Sequence, residues 1–466
     1  MAERFHLVGV GGAGMSAVAE LLAARGHEVS GSDQKDSALL AHLRSVGVRT
    51  WIGHDPGHVP DGASVVISTA VRESNPELAA ARERGLPVLH RSEALARAAT
   101  GLDLVAVAGA HGKTSTSAAL AVALAAAGRD PSYAIGGTVL AYGTGAHLGS
   151  GRAFVAEADE SDRSFLNYTP RIAVVTNVEP DHLDQYGSAE AYRRAFEEFA
   201  ARIRPGGLLV ACADDAGSLD LAGHVLAAGT RVVTYGRAPA GPDGAEAHVE
   251  VATRERGAHL RRVRADGRDE AELVLRVPGA HMLLNAAAAW AAGLELGVGP
   301  QDMADGLGTF TGTGRRFEDR GSAAGVRVVD DYAHNPTKVA AAVATAREQA
   351  GDGRVLVLFQ PHLYSRTQAF AEKFGEALAA ADEVVVTDVY PAREEPVPGV
   401  DGSLITTAMP GLASGGRARY VADKAAAAGA VADLARDGDV LVTVGAGDVT
   451  ELGQVILDRL RAREAQ

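Results

Sequence analysis

Four groups of residues have the types and spacing to do chemistry. The first is Gly109-Ala110-His111-Gly112-Lys113-Thr114, which follows the apolar run Leu104–Ala108 and opens a helical pattern reaching about Ala127. A strand, a Gly-rich turn and a Lys-Thr pair at a helix start aim backbone N–H groups and the helix N-terminus at phosphate. Lys113 would neutralise the outer phosphates of a nucleotide, and the Thr114 hydroxyl would complete a Mg²⁺ shell. The general pattern would place its first glycine at Val107, so this loop is a shortened form. Two acidic strand ends should lie beside it, because ligands of parallel sheets gather at strand carboxyl ends. One is Glu157-Ala158-Asp159-Glu160-Ser161-Asp162, and the other Thr176-Asn177-Val178-Glu179-Pro180-Asp181-His182. Glu157, with His182 added, could hold the Mg²⁺ that Thr114 also touches.

The third group is Gly9-x-Gly11-Gly12-x-Gly14, with Asp33 downstream to meet a ribose hydroxyl. Its geometry suits a nicotinamide dinucleotide, and equally any nucleoside diphosphate, including a UDP-sugar. Both readings stay open on these residues. The last group comprises Gly314-Arg315-Arg316-Phe317, Asp330 through Pro336, and Gln360 through Arg366. His334, His362 and Arg366 on strand-end loops suggest an anionic site, since arginine binds phosphate or carboxylate bidentately.

The elements that must position these groups are strands and helices in alternation, which predicts an α/β protein with mainly parallel sheets. Three domains are expected, at 1–97, 98–313 and 314–466. The first reads as Rossmann-like, with strands Phe5–Val10, Glu28–Ser30, Ser64–Ser68 and Pro87–Leu89 and a helix from about Met15 to Arg25. The second reads as a central P-loop ATPase-like domain with strands Leu104–Ala108, Ala153–Ala156 and Ile172–Thr176, closed by a helix around Asn285–Leu296. Within it, residues 229–278 have short alternating segments and predict an antiparallel edge or a small subdomain rather than another βαβ unit. The third, again Rossmann-like, has strands Val326–Val329, Val355–Phe359, Glu383–Thr387 and Val440–Val444.

The length of 466 residues exceeds what one core serves, in keeping with several domains. A formal charge of −14 argues against non-specific nucleic-acid binding. Cys212 is the one cysteine, so no intrachain disulfide is possible, and its apolar setting predicts a small core residue. No apolar run approaches the roughly 20 residues of a membrane span, and the first residues lack a signal-peptide core. A cytoplasmic protein without membrane insertion is expected.

Taken in order, these motifs resemble the ATP-dependent amide ligases that build the peptide stem of bacterial peptidoglycan. The similarity rests on Gly9–Met15, Gly31-Ser32-Asp33, the short Gly-Ala-His-Gly-Lys-Thr loop, Glu157–Asp162 and Glu179–Asp184. It continues through Pro278-Gly279-Ala280-His281, Gly314–Phe317, Phe359–His362 and Val389-Tyr390-Pro391-Ala392. The shortened phosphate loop is this family's own form. Phe196 stands where members adding later residues tend to carry a modified, metal-binding lysine, which resembles the alanine-adding branch.

The resemblance implies that ATP and Mg²⁺ drive the joining of L-alanine to the lactyl carboxylate of UDP-N-acetylmuramate through an acyl phosphate. A sister activity, joining a preformed peptide to the same sugar, is the alternative; a nicotinamide-dependent oxidoreductase is a remote one. It also implies ATP contacts from Gly109, Ala110, His111, Gly112, Lys113, Thr114, Ser115, Asn285, Arg316 and Asp331. Asn285 is the implied adenine contact, because Met282 follows His281 where an asparagine often stands. The UDP-sugar would meet Gly11, Gly12, Ala13, Asp33, His54, Ser68 and Thr69. Lys113, Glu157, His182, His334, His362 and Arg366 would carry the chemistry, with Thr114, Glu157 and His182 on the metal.

Overall fold

The computed structural model describes residues 2–238, 242–254, 257–264, 267–392, 394–412, 414–416 and 418–464. The first sheet consists of β1 (Arg4–Val8), β2 (Glu28–Asp33), β3 (Arg49–Ile52), β4 (Ser64–Ile67) and β5 (Val88–His90). All pairings are parallel, in the order β3-β2-β1-β4-β5. The order reverses between β1 and β4, so the crevice expected at such a switch point opens where β1 runs into Gly9–Gly12. Gly31 is required inside β2, because a Cβ there would stand 2.6 Å from the Leu7 carbonyl oxygen and 2.7 Å from the Val10 Cβ. The sequence-based end of this strand at Ser30 is too early: Gly31, Ser32 and Asp33 continue its parallel pairing with β3.

The second sheet contains β6 (Asp103–Ala108), β7 (Ser132–Val139), β8 (Thr144–His147), β9 (Ala153–Glu157), β10 (Ile172–Val175), β11 (Leu208–Cys212), β12 (Arg231–Gly236), β13 (Ala247–Arg254), β14 (Gly257–Arg264) and β15 (Gly267–Leu273). Its order is β15-β14-β13-β12-β11-β10-β6-β9-β7-β8. From β13 through β7 the pairings are parallel; β14–β15 and β8 add antiparallel edges. The antiparallel edge expected over 229–278 therefore needs correction, since it begins only at β13. Strand β12 reads Arg-Val-Val-Thr-Tyr-Gly, is buried after its first residue, and continues the parallel sheet. A strand covered on both faces reads as a continuous apolar run, whereas β13 to β15 alternate. Residues 239–241, 255–256 and 265–266 of that stretch lie outside the described residues.

The third sheet contains β16 (Glu318–Ala323), β17 (Val326–Asp331), β18 (Val355–Phe359), β19 (Glu383–Val386), β20 (Arg419–Tyr420) and β21 (Val440–Val444). Its order is β16-β17-β21-β18-β19-β20, parallel except for the β16 edge. Two compact units result. One is Met1–Arg276 with Met282–Thr311 and holds the first two sheets; the other is Val277–His281 with Gly312–Gln466 and holds the third. Among the described residues, no helix is long and apolar enough to cross a membrane. Cys212 is a buried free cysteine at the end of β11, as its apolar context indicated.

One aromatic knot supports the second sheet from the helix Ala189–Ala200. Phe165 stacks on Phe199 with centroids 4.9 Å apart, and Phe196 packs edge-on against Phe165 at 5.3 Å. Phe196 is fully buried, so it serves as a core ring. Truncating Phe199 to alanine removes a stacked, buried ring and is expected to cost about 3–5 kcal/mol. A denaturant midpoint unchanged from the parent protein would contradict this.

Candidate functional site

The phosphate loop is shaped by two glycines and clamped from the neighbouring strand end. Gly109 has φ +138°, and a Cβ there would lie 2.1 Å from Thr176 Oγ1. Gly112 has φ +79°, and its Cβ would lie 2.6 Å from Asn285 Oδ1. Neither position has room for another residue. Just beyond β10, the Thr176 hydroxyl donates to the His111 carbonyl. Asn177 holds both backbone polar groups of His111, accepting from its N at 3.0 Å and donating to its O at 3.1 Å. The His111 ring meets Glu179 Oε2 at 2.9 Å. His111, a sequence-derived nucleotide contact, thus has both backbone and ring engaged in bracing the loop.

Lys113 opens the helix Lys113–Ala126 and folds back over the loop. Its Nζ donates to the Gly109 carbonyl at 2.7 Å and lies 2.7 Å from Glu160 Oε2. Burial opposes the ammonium charge, but Glu160 and Glu157 outweigh it, and the Lys113 pKa is raised. Glu160 is 1% exposed, so its carboxylate depends on this partner. Thr114 Oγ1 donates to Glu157 Oε1 at 2.9 Å, while Glu157 Oε2 accepts from Gly136 N at 2.7 Å. Thr114 and Glu157 therefore present a hydroxyl and a carboxylate side by side, the hard oxygen donors that suit Mg²⁺. His182, the third residue expected on the metal, lies 3.9 Å from Glu160 Oε1 and has φ +53°. No group of three or more His, Cys, Asp or Glu side chains among the described residues could hold a metal. The donor set fits an ion held largely by nucleotide phosphates, as Mg²⁺ commonly is. Ala110 and Ser115 are buried in the loop and first helical turn, and Asn285 packs against Gly112 with its amide 3.5 Å from Met282 Sδ.

In the first sheet, residues Gly11, Gly12, Ala13, Asp33, His54, Ser68 and Thr69 all sit at strand carboxyl ends or the loops leaving them. Asp33 Oδ2 accepts from Gly11 N at 2.9 Å, so its carboxylate shapes the Gly loop from within. His54 Nδ1 lies 2.8 Å from Ser32 Oγ and 3.3 Å from Glu77 Oε2. Sequence reasoning missed Glu77, which is fully buried and is also met by His6 at 3.5 Å and His58 at 3.1 Å. Burial would raise the Glu77 pKa; hydrogen bonds from His6, Ser32 and His58 prevail and hold it at about 2. A glutamate following Asn-Pro looks like an ordinary first-turn helix residue, and only the tertiary fold brings three imidazoles to it.

In the second unit, the ends of β17 and β18, with the helix Tyr364–Leu378 that follows β18, bring together His334, His362 and Arg366. The two imidazole centroids are 6.1 Å apart, and Arg366 Nη1 donates to the His334 carbonyl at 3.4 Å. His362 stacks on Tyr390 at 5.7 Å. His334 Nδ1 lies 2.9 Å from the Tyr332 carbonyl, which can only accept, so Nδ1 carries the proton and Nε2 keeps its lone pair. Burial, reinforced by the Lys338 and Arg366 charges, pushes the His334 pKa well down, leaving a neutral imidazole. Arg316 lies 4.7 Å from the Tyr332 ring centroid. Both Asp331 oxygens accept backbone N–H groups, from Phe317 at 2.9 Å and Ala333 at 2.8 Å. That carboxylate, expected to contact ATP, is engaged in holding its own loop.

Comparison with known proteins gives a consistent picture. The chain matches the Mur ligase family catalytic domain over residues 4–101, the Mur ligase middle domain over 107–293 and the Mur ligase glutamate ligase domain over 315–447. It is 57% identical to the UDP-N-acetylmuramate–L-alanine ligase of Kineococcus radiotolerans, covering 99% of this chain and 97% of that one. It is 53% identical to the same-named ligase of Renibacterium salmoninarum, with 98% and 96% covered. Among solved structures, the UDP-N-acetylmuramate-alanine ligase of Thermotoga maritima superposes with a TM-score of 0.77 at 28% identity, covering 99% of this chain and 100% of that one. A murein peptide ligase of Psychrobacter arcticus shares the fold at TM-score 0.70 and 24% identity, with 99% of each chain covered.

Two outcomes follow from the buried charges. Lys113→Met strands Glu160 without its counter-ion and is expected to cost about 3–5 kcal/mol. Lys113→Met/Glu160→Gln should recover most of that stability, and urea denaturation of the two variants decides it. Glu77 has a folded-state pKa below its ordinary 4.5, so its contribution is complete above about 4.5 and drains away as pH falls toward 2. The stability gap between the parent protein and Glu77→Gln should therefore narrow over that window; a gap that widened on acidification would contradict the assignment.

Proposed function

The chain belongs to the Mur ligase family, and from that premise we propose that it joins L-alanine to the lactyl carboxylate of UDP-N-acetylmuramate, using ATP. This is the first peptide-forming step in building the peptidoglycan stem. The observation that carries the reading is the pairing, within one unit, of a Lys-Thr phosphate loop with a diphosphate-type crevice on a separate parallel sheet. An oxidoreductase would need the crevice alone and leaves the phosphate loop without a task. The relatives' shared name supplies the substrates. We place the domain boundaries at 97/98 and 313/314, which gives each domain one of the three sheets.

In the proposed mechanism the lactyl carboxylate attacks the γ-phosphorus of ATP to give an acyl phosphate and ADP. The alanine amine then attacks the acyl carbon, and inorganic phosphate leaves. The backbone of Gly109–Thr114 cradles the phosphates, and Lys113 stands between Glu160 and the transferring group, offsetting its charge. Mg²⁺, held at Thr114 and Glu157, would supply further charge neutralisation on the phosphate oxygens. His182 lies on the Glu160 side of the loop and would act on the same charges. Gly11, Gly12, Ala13, Asp33, His54, Ser68 and Thr69 would hold the UDP-sugar.

For the second unit, Arg366 is the proposed partner of an anionic group such as the amino-acid carboxylate, with His362 beside it. His334 is neutral, so its Nε2 lone pair would accept a hydrogen bond from the attacking amine and orient it. Its lowered pKa makes it a better acceptor than proton store.

The deciding experiment is phosphate release from ATP with UDP-N-acetylmuramate and, in turn, L-alanine, glycine, L-serine or the stem tripeptide. Turnover is expected with L-alanine. Turnover with the tripeptide alone would reassign the protein to the peptide-joining branch.

A further inference from the structure

We propose that Arg91 binds the pyrophosphate of the UDP-sugar, closing the Gly-loop crevice from the far side of the first sheet. The inference rests on the reading of that sheet as the UDP-sugar domain. Arg91 is the first residue of the helix Arg91–Ala98, immediately after β5, and so stands at the same strand-carboxyl edge as the Gly loop and Asp33. Its guanidinium reaches across to the start of the helix Ala13–Ala24: a Cβ placed on Gly14 would be 2.6 Å from Arg91 Nη1. Gly14 therefore makes room for this side chain. A diphosphate seated at the helix start formed by Ala13 and Gly14 would meet a planar, permanently charged fork made for phosphate oxygens.

Arg91 is held there by a rigid frame. His90 and Glu93 form a reciprocal cap at this helix start, with His90 N donating to Glu93 Oε2 at 2.6 Å. Ser92 accepts from Asn167 at 2.8 Å, and His90 Nε2 lies 3.5 Å from Asp162. The neighbours on both sides are thus tied to the segment following β9, while Arg91 itself is only loosely paired. Its ion pair with Asp159 spans 3.6 Å, and its side chain keeps 30% exposure. A guanidinium fixed at its base, weakly paired at its tip and lodged against a glycine of an anion-binding turn is poised for a second anion. The net chain charge of −14 makes a local cation at this crevice more necessary for a diphosphate ligand.

The test is UDP binding to the full-length protein by calorimetry, over a range of salt, alongside KM values for UDP-N-acetylmuramate and ATP. Arg91→Gln should weaken UDP binding roughly tenfold or more, the loss of a charge-assisted contact. It should also flatten the salt dependence of UDP binding and leave the KM for ATP within about twofold, since only one local cation is removed. Arg91→Lys should fall between the two. If Arg91→Gln does not fold, Asp159→Asn answers the question, since freeing the guanidinium should tighten UDP binding. Equal UDP affinity in Arg91→Gln and the parent protein would overturn the proposal, as would a loss with unchanged salt dependence, or no tightening in Asp159→Asn. If the parent protein itself binds neither UDP nor UDP-N-acetylmuramate, the UDP-sugar reading of the sheet fails first.

Discussion

The phosphate loop keeps its shape because two parallel strands end at the same level and one ties down the other. Strand β6 supplies the loop; the residues after β10 hold it, with Thr176 and Asn177 gripping the His111 peptide. This contact forces glycine at 109, since a side chain would collide with the Thr176 hydroxyl. It also fixes where the helix Lys113–Ala126 begins, and with it the directions of Lys113 and Thr114. Parallel pairing is what makes the arrangement possible, because only then do loops from adjacent strands emerge on the same edge.

Around this frame, buried charge is compensated locally. Glu160 is nearly inaccessible and has Lys113; Glu77 is inaccessible and has three imidazoles and a serine. A carboxylate without such partners would be driven to protonate. The two clusters differ in consequence. Glu77 knits together β1, β2 and the loop after β3, so its partners are structural neighbours. Glu160 is paired with the residue proposed to act on phosphate, so on that reading Lys113 would serve a phosphate while paired with a buried carboxylate.

The strand-helix alternation, the three sheets and the position of the phosphate loop were legible in the chain because apolar runs bounded by Gly turns repeat throughout. The limits of legibility were equally physical. Strand β12 was misread because a parallel strand covered on both faces lacks alternation, and it borders segments that do alternate. The β7–β8 hairpin passed unnoticed, its Gly-rich strand offering no apolar period. Glu157, Thr114 and Lys113 could be placed together from motif logic, but Glu77, Glu160 as the lysine's partner, and Arg91 could not. Their significance lies in what the fold sets against them, and no spacing along the chain encodes that.

Glu157 has a second attachment whose effect reaches further than the metal. One oxygen meets Thr114; the other holds the backbone of Gly136 in β7, next to the edge strand β8. Strand β7 and its hairpin partner β8 pack against the helix Ala13–Ala24, whose start follows the Gly9–Gly12 turn. On the proposed reading, a cation drawing on Glu157 would compete with the backbone hydrogen bond to Gly136. On that reading the two nucleotides would share this mechanical element, and any effect of one on the affinity for the other would be reciprocal, by the symmetry of linked equilibria.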